Sequence, residues 1–196
     1  MNATPRRDVL YNLSFFLVEM FSALEVTAAL VAAPRIGQAL ALPEALNGWV
    51  INAYLYPIFV FSVLFLLVNR SLRRVIASRN FFFLGLLVFA LGALCCFLAD
   101  TAGLFFTGRV IQGLGAALAF GGQLWTAGEY YRLTIARILF WGECGGALGV
   151  VTGPMVGGIL IELAAEGWRF IFLLDGVLSL IALGAGALAL RQARPC

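Results

Sequence analysis

The chain has 196 residues, of which 62% are hydrophobic and only 12% charged, with a net charge of +3. A soluble domain carries about 25% charged and about 45–50% apolar residues, so this composition excludes water as the main solvent. Histidine and lysine are absent and all 13 basic residues are arginine. That removes the commonest general base, the commonest metal ligand and any histidine-containing triad. The arginines are scattered between apolar runs and make no phosphate-binding face, so no nucleic-acid partner is expected.

One bilayer crossing takes about 20 mostly apolar residues. Six such runs follow one another, at 9–33, 49–68, 81–99, 104–123, 138–163 and 170–190. They are too long, and too free of period-two alternation, to be strands of a membrane barrel. The predicted fold is all-α: a polytopic membrane protein with six transmembrane helices, residues 1–196 forming a single bundle in the lipid bilayer.

The first run follows Arg6 and Arg7 and approaches small residues at Ala32 and Ala33, as a signal peptide does. A signal h-region spans only about 7–15 residues, whereas this run is longer and contains Glu19 and Glu25, so it reads as a transmembrane helix that Pro34 ends. A charge in the membrane persists only against a protein interior or a water cavity. Glu25, with Thr27 beside it, is either a protonatable carboxylate in a transport cavity or a structurally paired one. Glu19 lies about 120° around the helix from it. It either lines the cavity too or hydrates at the cytoplasmic interface.

The second run opens at Trp49 and contains Tyr54 and Tyr56, which with Trp125 are candidates for apolar or cation–π contacts with a substrate. The loop after it carries Arg70, Arg73, Arg74 and Arg79 and no acidic residue. A cytoplasmic N-terminus places that cluster inside together with Arg6, Arg7, Arg132, Arg137, Arg191 and Arg194, leaving Arg35 and Arg169 outside. Both termini are therefore expected in the cytoplasm of a cell (inner) membrane. Cys95 and Cys96 in the third run, Cys144 in the fifth and the terminal Cys196 form no disulfide framework or metal knuckle.

In the fourth run Gln112 is three residues from Arg109 and projects from the same side. Arginine does not shed its proton, so Arg109 either holds and releases a neighbouring carboxylate electrostatically or is a static ion pair fastening helices. The fifth run carries Glu143 early. Its Gly145, Gly149, Gly153 and Gly157 form a groove for a neighbouring backbone, with Gly158 beyond them and Pro154 as a site of bending.

Gly108-Arg109-Val110-Ile111-Gln112-Gly113-Leu114-Gly115-Ala116-Ala117 resembles the fourth-helix motif of major facilitator superfamily transporters. The stretch from Gly149 through Gly153, Pro154, Gly157 and Gly158 is similar to the fifth-helix motif of their antiporters. Leu24-Glu25-Val26-Thr27 with Pro34 is similar to the first-helix motif of the fourteen-helix drug:proton antiporters, with Glu25 where aspartate is usual. The segments from Trp49 to Tyr54 and from Trp168 to Phe172 also look like that branch.

The resemblance implies one N-terminal bundle of a major facilitator fold, two inverted three-helix repeats that rock against a second bundle. It implies proton coupling through Arg109, with Glu25, Glu19 and Gln112 around it, and a conformational role for the glycine-proline helix. The function expected from it is proton-coupled efflux of small amphipathic compounds or drugs, with the proton gradient as energy source and no cofactor. The loop departs from the family pattern, since Arg74 stands where an aspartate is expected. Those arginines read instead as a topology-setting cluster beside anionic headgroups. A complete transporter needs twelve or fourteen helices, so the chain is expected to be a fragment or truncation whose second half lies in the same longer chain, a second copy or a separate half. The alternative is a half-size membrane subunit that assembles with a partner and does not transport alone. No nucleotide loop, metal cluster or nucleophile–base pair supports an enzyme.

Overall fold

The computed structural model describes residues 5–67, 79–126 and 135–191. They form six long helices: α1 (Pro5–Ala39), α2 (Trp49–Leu67), α3 (Arg79–Phe97), α4 (Ala102–Thr126), α5 (Ile135–Leu163) and α6 (Gly167–Arg191). A short 3-10 turn at Glu44–Leu46 lies between α1 and α2. Among the described residues, stretches of α1, α3, α4, α5 and α6 are long and apolar enough to cross a membrane. The all-α, polytopic membrane architecture is as the sequence predicts.

The boundaries show where local chemistry acts. Pro34 does not end the first helix, which runs on to Ala39. Proline removes one donor and its ring crowds the preceding turn, but within membranes neighbouring groups tolerate that loss. The helix stops instead at Ala41, whose φ of 49° turns the chain left-handed. The Leu42 amide then donates to the Gly37 carbonyl at 2.8 Å, closing the last turn. At the start of α4, Thr101 Oγ1 accepts from the Leu104 amide at 3.3 Å, an N-cap that restarts the helix after a four-residue connection.

Helix packing follows small residues, because lipid supplies no hydrophobic drive between helices. On α3 and α4, Gly85 and Gly115 face each other, and a Cβ on either would run into the other helix's backbone. On α5, Gly145, Gly149, Gly153 and Gly157 all press against α1, while Gly146 and Gly158 meet nothing. The most extensive pairings are α1 with α5, α3 with α4, α1 with α6, α3 with α6 and α2 with α4. This set maps onto itself when α1, α2 and α3 are exchanged for α4, α5 and α6, the arrangement expected of two three-helix repeats.

Buried hydroxyls tie the centre together. Ser14 Oγ of α1 donates to the Ala182 carbonyl at 3.1 Å, and Ser179 Oγ of α6 donates to the Leu86 carbonyl at 2.8 Å. At one end Phe105, Trp168 and Phe172 pack edge to face, with ring centroids 5.5–6.2 Å apart. Beside them Arg169 donates to the carbonyls of Phe97 and Ala99 at 2.9 and 2.7 Å and pairs with Asp100 and Glu166. It fastens the α3–α4 turn to the start of α6. The large apolar side chains left on the outside, such as Leu64, Val151, Met155 and Ile159, suit a protein whose surroundings are hydrocarbon.

Candidate functional site

Four helices converge on Arg109, which lies fully inside the bundle. Its Nε donates to the Val50 carbonyl of α2 at 2.7 Å, and Nη1 donates to Gln112 Oε1 at 3.3 Å, one turn along α4. Nη1 also forms an ion pair with Oε1 of Glu25 on α1, and both side chains have no exposure. The guanidinium carbon stands 4.9 Å from the Tyr54 ring centroid and 5.6 Å from that of Phe172 on α6. Gly113 makes this possible: a Cβ there would collide with the Tyr54 carbonyl and lever α2 away. Without it, α2 comes close enough for Val50 to supply its carbonyl and Tyr54 its ring face.

The polar bonding around the pair is incomplete. Among the described residues Arg109 Nη2, Glu25 Oε2 and Gln112 Nε2 have no hydrogen-bond partner. A buried polar group without a partner costs about 1–3 kcal/mol, so native proteins hold few of them. Cys96 Sγ of α3 donates weakly to Gln112 Oε1 at 3.5 Å, closing the cluster on its remaining side.

A fifth polar residue completes it. Asp175 of α6 is fully buried, and neither of its carboxylate oxygens has a hydrogen-bond partner. It is close enough to Arg109, Tyr54 and Cys96 to interact electrostatically with each. Asp175 is a site residue that sequence reasoning missed, although a lone acid inside the apolar run 170–190 is the same signal that singles out Glu25.

The structure brings Glu25, Arg109 and Gln112 together but leaves Glu19 apart. Glu19 faces α5, where a Cβ on Gly142 would come within 3.4 Å of its Cγ, and its electrostatic neighbour there is the exposed Glu143. The helical offset between positions 19 and 25 produces this separation. The aromatic candidates divide likewise. Trp49 and Tyr56 pack at 5.5 Å and line an apolar groove of about 610 Å³ with Pro57, Val60, Val110 and Leu114. Tyr54 is not in that groove, because it points from the opposite face of α2 into the bundle. Trp125 is placed by its backbone in the last turn of α4 and Arg79 at the start of α3. Arg70, Arg73 and Arg74 lie outside the described residues.

A lipid-length helical bundle with a sealed ion pair at its centre defines a polytopic membrane protein, and comparison with known proteins assigns its family. The sequence matches the family model of the Major Facilitator Superfamily over residues 15–195. The chain belongs to that superfamily, a class of membrane transporters rather than of enzymes.

Among its relatives is the Methylenomycin A resistance protein of Bacillus subtilis, 30% identical over 86% of this chain and 34% of that protein. The efflux pump aflT of Aspergillus parasiticus is 31% identical over 81% of this chain and 30% of its own length. The MFS-type transporter EfpA of Mycobacterium tuberculosis, described as uncharacterized, is 29% identical over 89% of this chain and 32% of its length. The chain thus spans about a third of the length of the curated relatives it matches.

Proposed function

We propose that this chain is the N-terminal six-helix half of a proton-coupled efflux antiporter for small amphipathic compounds. It would lie in the cell membrane with both termini in the cytoplasm, driven by the proton gradient without a cofactor. The observation that carries this reading is the pairing of Glu25 with Arg109 where neither has any solvent exposure. An arginine stays charged, so the carboxylate is the partner that changes state. Protonating Glu25 breaks the ion pair and frees a buried cation to seek other acceptors. That is a local event able to bias the packing of four helices. The names of relatives as a resistance protein and an efflux pump favour export. The groove beside Trp49 and Tyr56 offers apolar and aromatic surface for a substrate.

The test is efflux driven by an imposed pH gradient in vesicles carrying the full-length protein. Glu25→Gln and Arg109→Ala should each abolish uphill efflux while Glu25→Gln keeps downhill exchange. Normal coupling in both variants overturns the role assignment. The second reading is a half-size membrane subunit that assembles with a partner and does not transport alone. Its mark is a co-purifying membrane partner with no flux by the isolated chain.

A further inference from the structure

We propose that Asp175 is a second proton-exchanging carboxylate of the Arg109 site, so that Arg109, Glu25 and Asp175 together hold one exchangeable proton between two carboxylates. The inference deepens the antiporter reading and rests on it for its purpose, but not for its chemistry.

Arg109, Glu25 and Asp175 are all fully buried, and one guanidinium cannot balance two carboxylates. A net charge sealed among apolar side chains is strongly disfavoured, and one added proton restores neutrality. The geometry says where that proton rests. Arg109 is engaged with Glu25, whereas both Asp175 oxygens lack any hydrogen-bond partner among the described residues.

Asp175 is aimed at the cluster by its helix. Phe172, three residues before it, lies against the Arg109 guanidinium, and Ser179, four residues after it, bonds to α3 through the Leu86 carbonyl. These three positions share one inward face of α6. The groups facing Asp175 from the other helices are Arg109 of α4, Tyr54 of α2 and Cys96 of α3, with Glu25 of α1 reached through Arg109. On α5, Glu143 and Glu162 are exposed and outside the cluster, and Arg169 on α6 itself is two turns away at the helix start.

The exchange is balanced. A proton arriving at a Glu25 oxygen removes that negative charge and releases Arg109. A proton leaving the Asp175 carboxyl to water creates a negative charge for Arg109 to pair with. The cluster is neutral in both states, so the cation can move between α1 and α6 without a net buried charge at either end. A carboxylate pair on two different helices, sharing one arginine, converts proton movement into a change of helix contacts.

The experiment is infrared titration of the purified full-length protein in detergent, reading the carbonyl stretch of protonated carboxylic acids, which needs no substrate and no transport. In a Glu19→Gln background, which removes the other part-buried carboxyl of α1, the protein should show the shared proton as a protonated-carboxyl band at neutral pH. Asp175→Asn and Glu25→Gln should each lose it, because either leaves one carboxylate for one arginine, and Asp175→Glu should retain it at a shifted frequency. A signal that survives Asp175→Asn overturns the proposal. So does its survival at full strength in Glu25→Gln, since Asp175 would then be a permanently neutral side chain and not a partner in exchange. Loss of the signal when sodium replaces choline at constant pH also overturns it, by making a metal cation the counter-charge. Failure of proton-driven efflux with the expected spectra would sink the antiporter reading and leave the shared proton standing.

Discussion

At Arg109 a cation is held where water cannot reach it, and its partners set the consequences of removing it. Truncation strips Glu25 of its counter-charge, removes the side-chain donor from the Val50 carbonyl and leaves Gln112 Oε1 only the weak Cys96 thiol. Breaking a buried ion pair by removing one member costs about 3–5 kcal/mol. Arg109→Ala should therefore lower the thermal unfolding midpoint of the detergent-solubilised protein strongly. Arg109→Met combined with Glu25→Gln should recover much of the loss, since no unpaired charge then remains at that pair. A double variant no more stable than Arg109→Ala would show that the cost lies in packing against Tyr54 and Phe172. How much of this site was legible in the sequence follows from what a charge in an apolar run signifies. Arg109, Glu25 and Gln112 could be picked out because membrane burial demands a partner, and the three-residue spacing placed Gln112 beside Arg109. That Glu25 and not Glu19 would be the partner depended on which face of α1 meets α4.

Among the elements, α1 and α5 show how glycine position decides packing. Gly149 sits against the Met20 carbonyl, and a Cβ there would also lie 2.8 Å from the Leu24 amide nitrogen, so the backbone itself is in the way. Gly149→Ala should separate the two helices and cost about 1–3 kcal/mol, seen as a lower unfolding midpoint. Gly146, three positions earlier, has nothing within 4 Å of an added Cβ. Gly146→Ala should stay within about 0.5 kcal/mol of wild type, and equal losses in both would refute the close-approach account. The four-residue glycine spacing announced a packing groove, but it did not say which helix would fill it. The equally tight seam between Gly85 and Gly115 went unread, because on α3 its small residues are diluted among phenylalanines and leucines. Pro34 misled in the opposite direction, as a lone proline signals a break only where the lost hydrogen bond cannot be tolerated.

For the whole molecule, the arginine distribution predicts orientation. The 3-10 turn between α1 and α2 should face the outside, and Glu44 in it is exposed. In a cysteine-free background, Glu44→Cys should react with a membrane-impermeant maleimide applied to intact cells. Labelling only after permeabilisation would invert the topology. The groove between α2 and α4, faced by Trp49, Tyr56, Val110 and Leu114, is lined entirely by apolar and aromatic side chains. The extensive helix pairings map onto themselves on exchange of the first and last three helices, and the central ion pair joins Arg109 of α4 to Glu25 of α1, the helices that this exchange relates.

Length, hydropathy and the scarcity of charge determined by themselves that this chain is an all-helical, polytopic membrane protein, and the six apolar runs correspond to the six long helices described. A bilayer of fixed thickness leaves an apolar run of about 20 residues almost no other solution. The same bilayer makes each intramembrane charge conspicuous, which is why three of the five polar residues of the central cluster, Glu25, Arg109 and Gln112, could be named from composition and spacing. Only the tertiary structure decided which charges meet. It joined Glu25 to Arg109, set Glu19 beside Glu143, turned Tyr54 inward while Trp49 and Tyr56 stayed on the groove, and brought Asp175 across from α6. The physical reason is that contacts between helices depend on rotation about each axis and on how closely small residues let backbones approach. Both are properties of pairs of helices, which no single run of sequence contains.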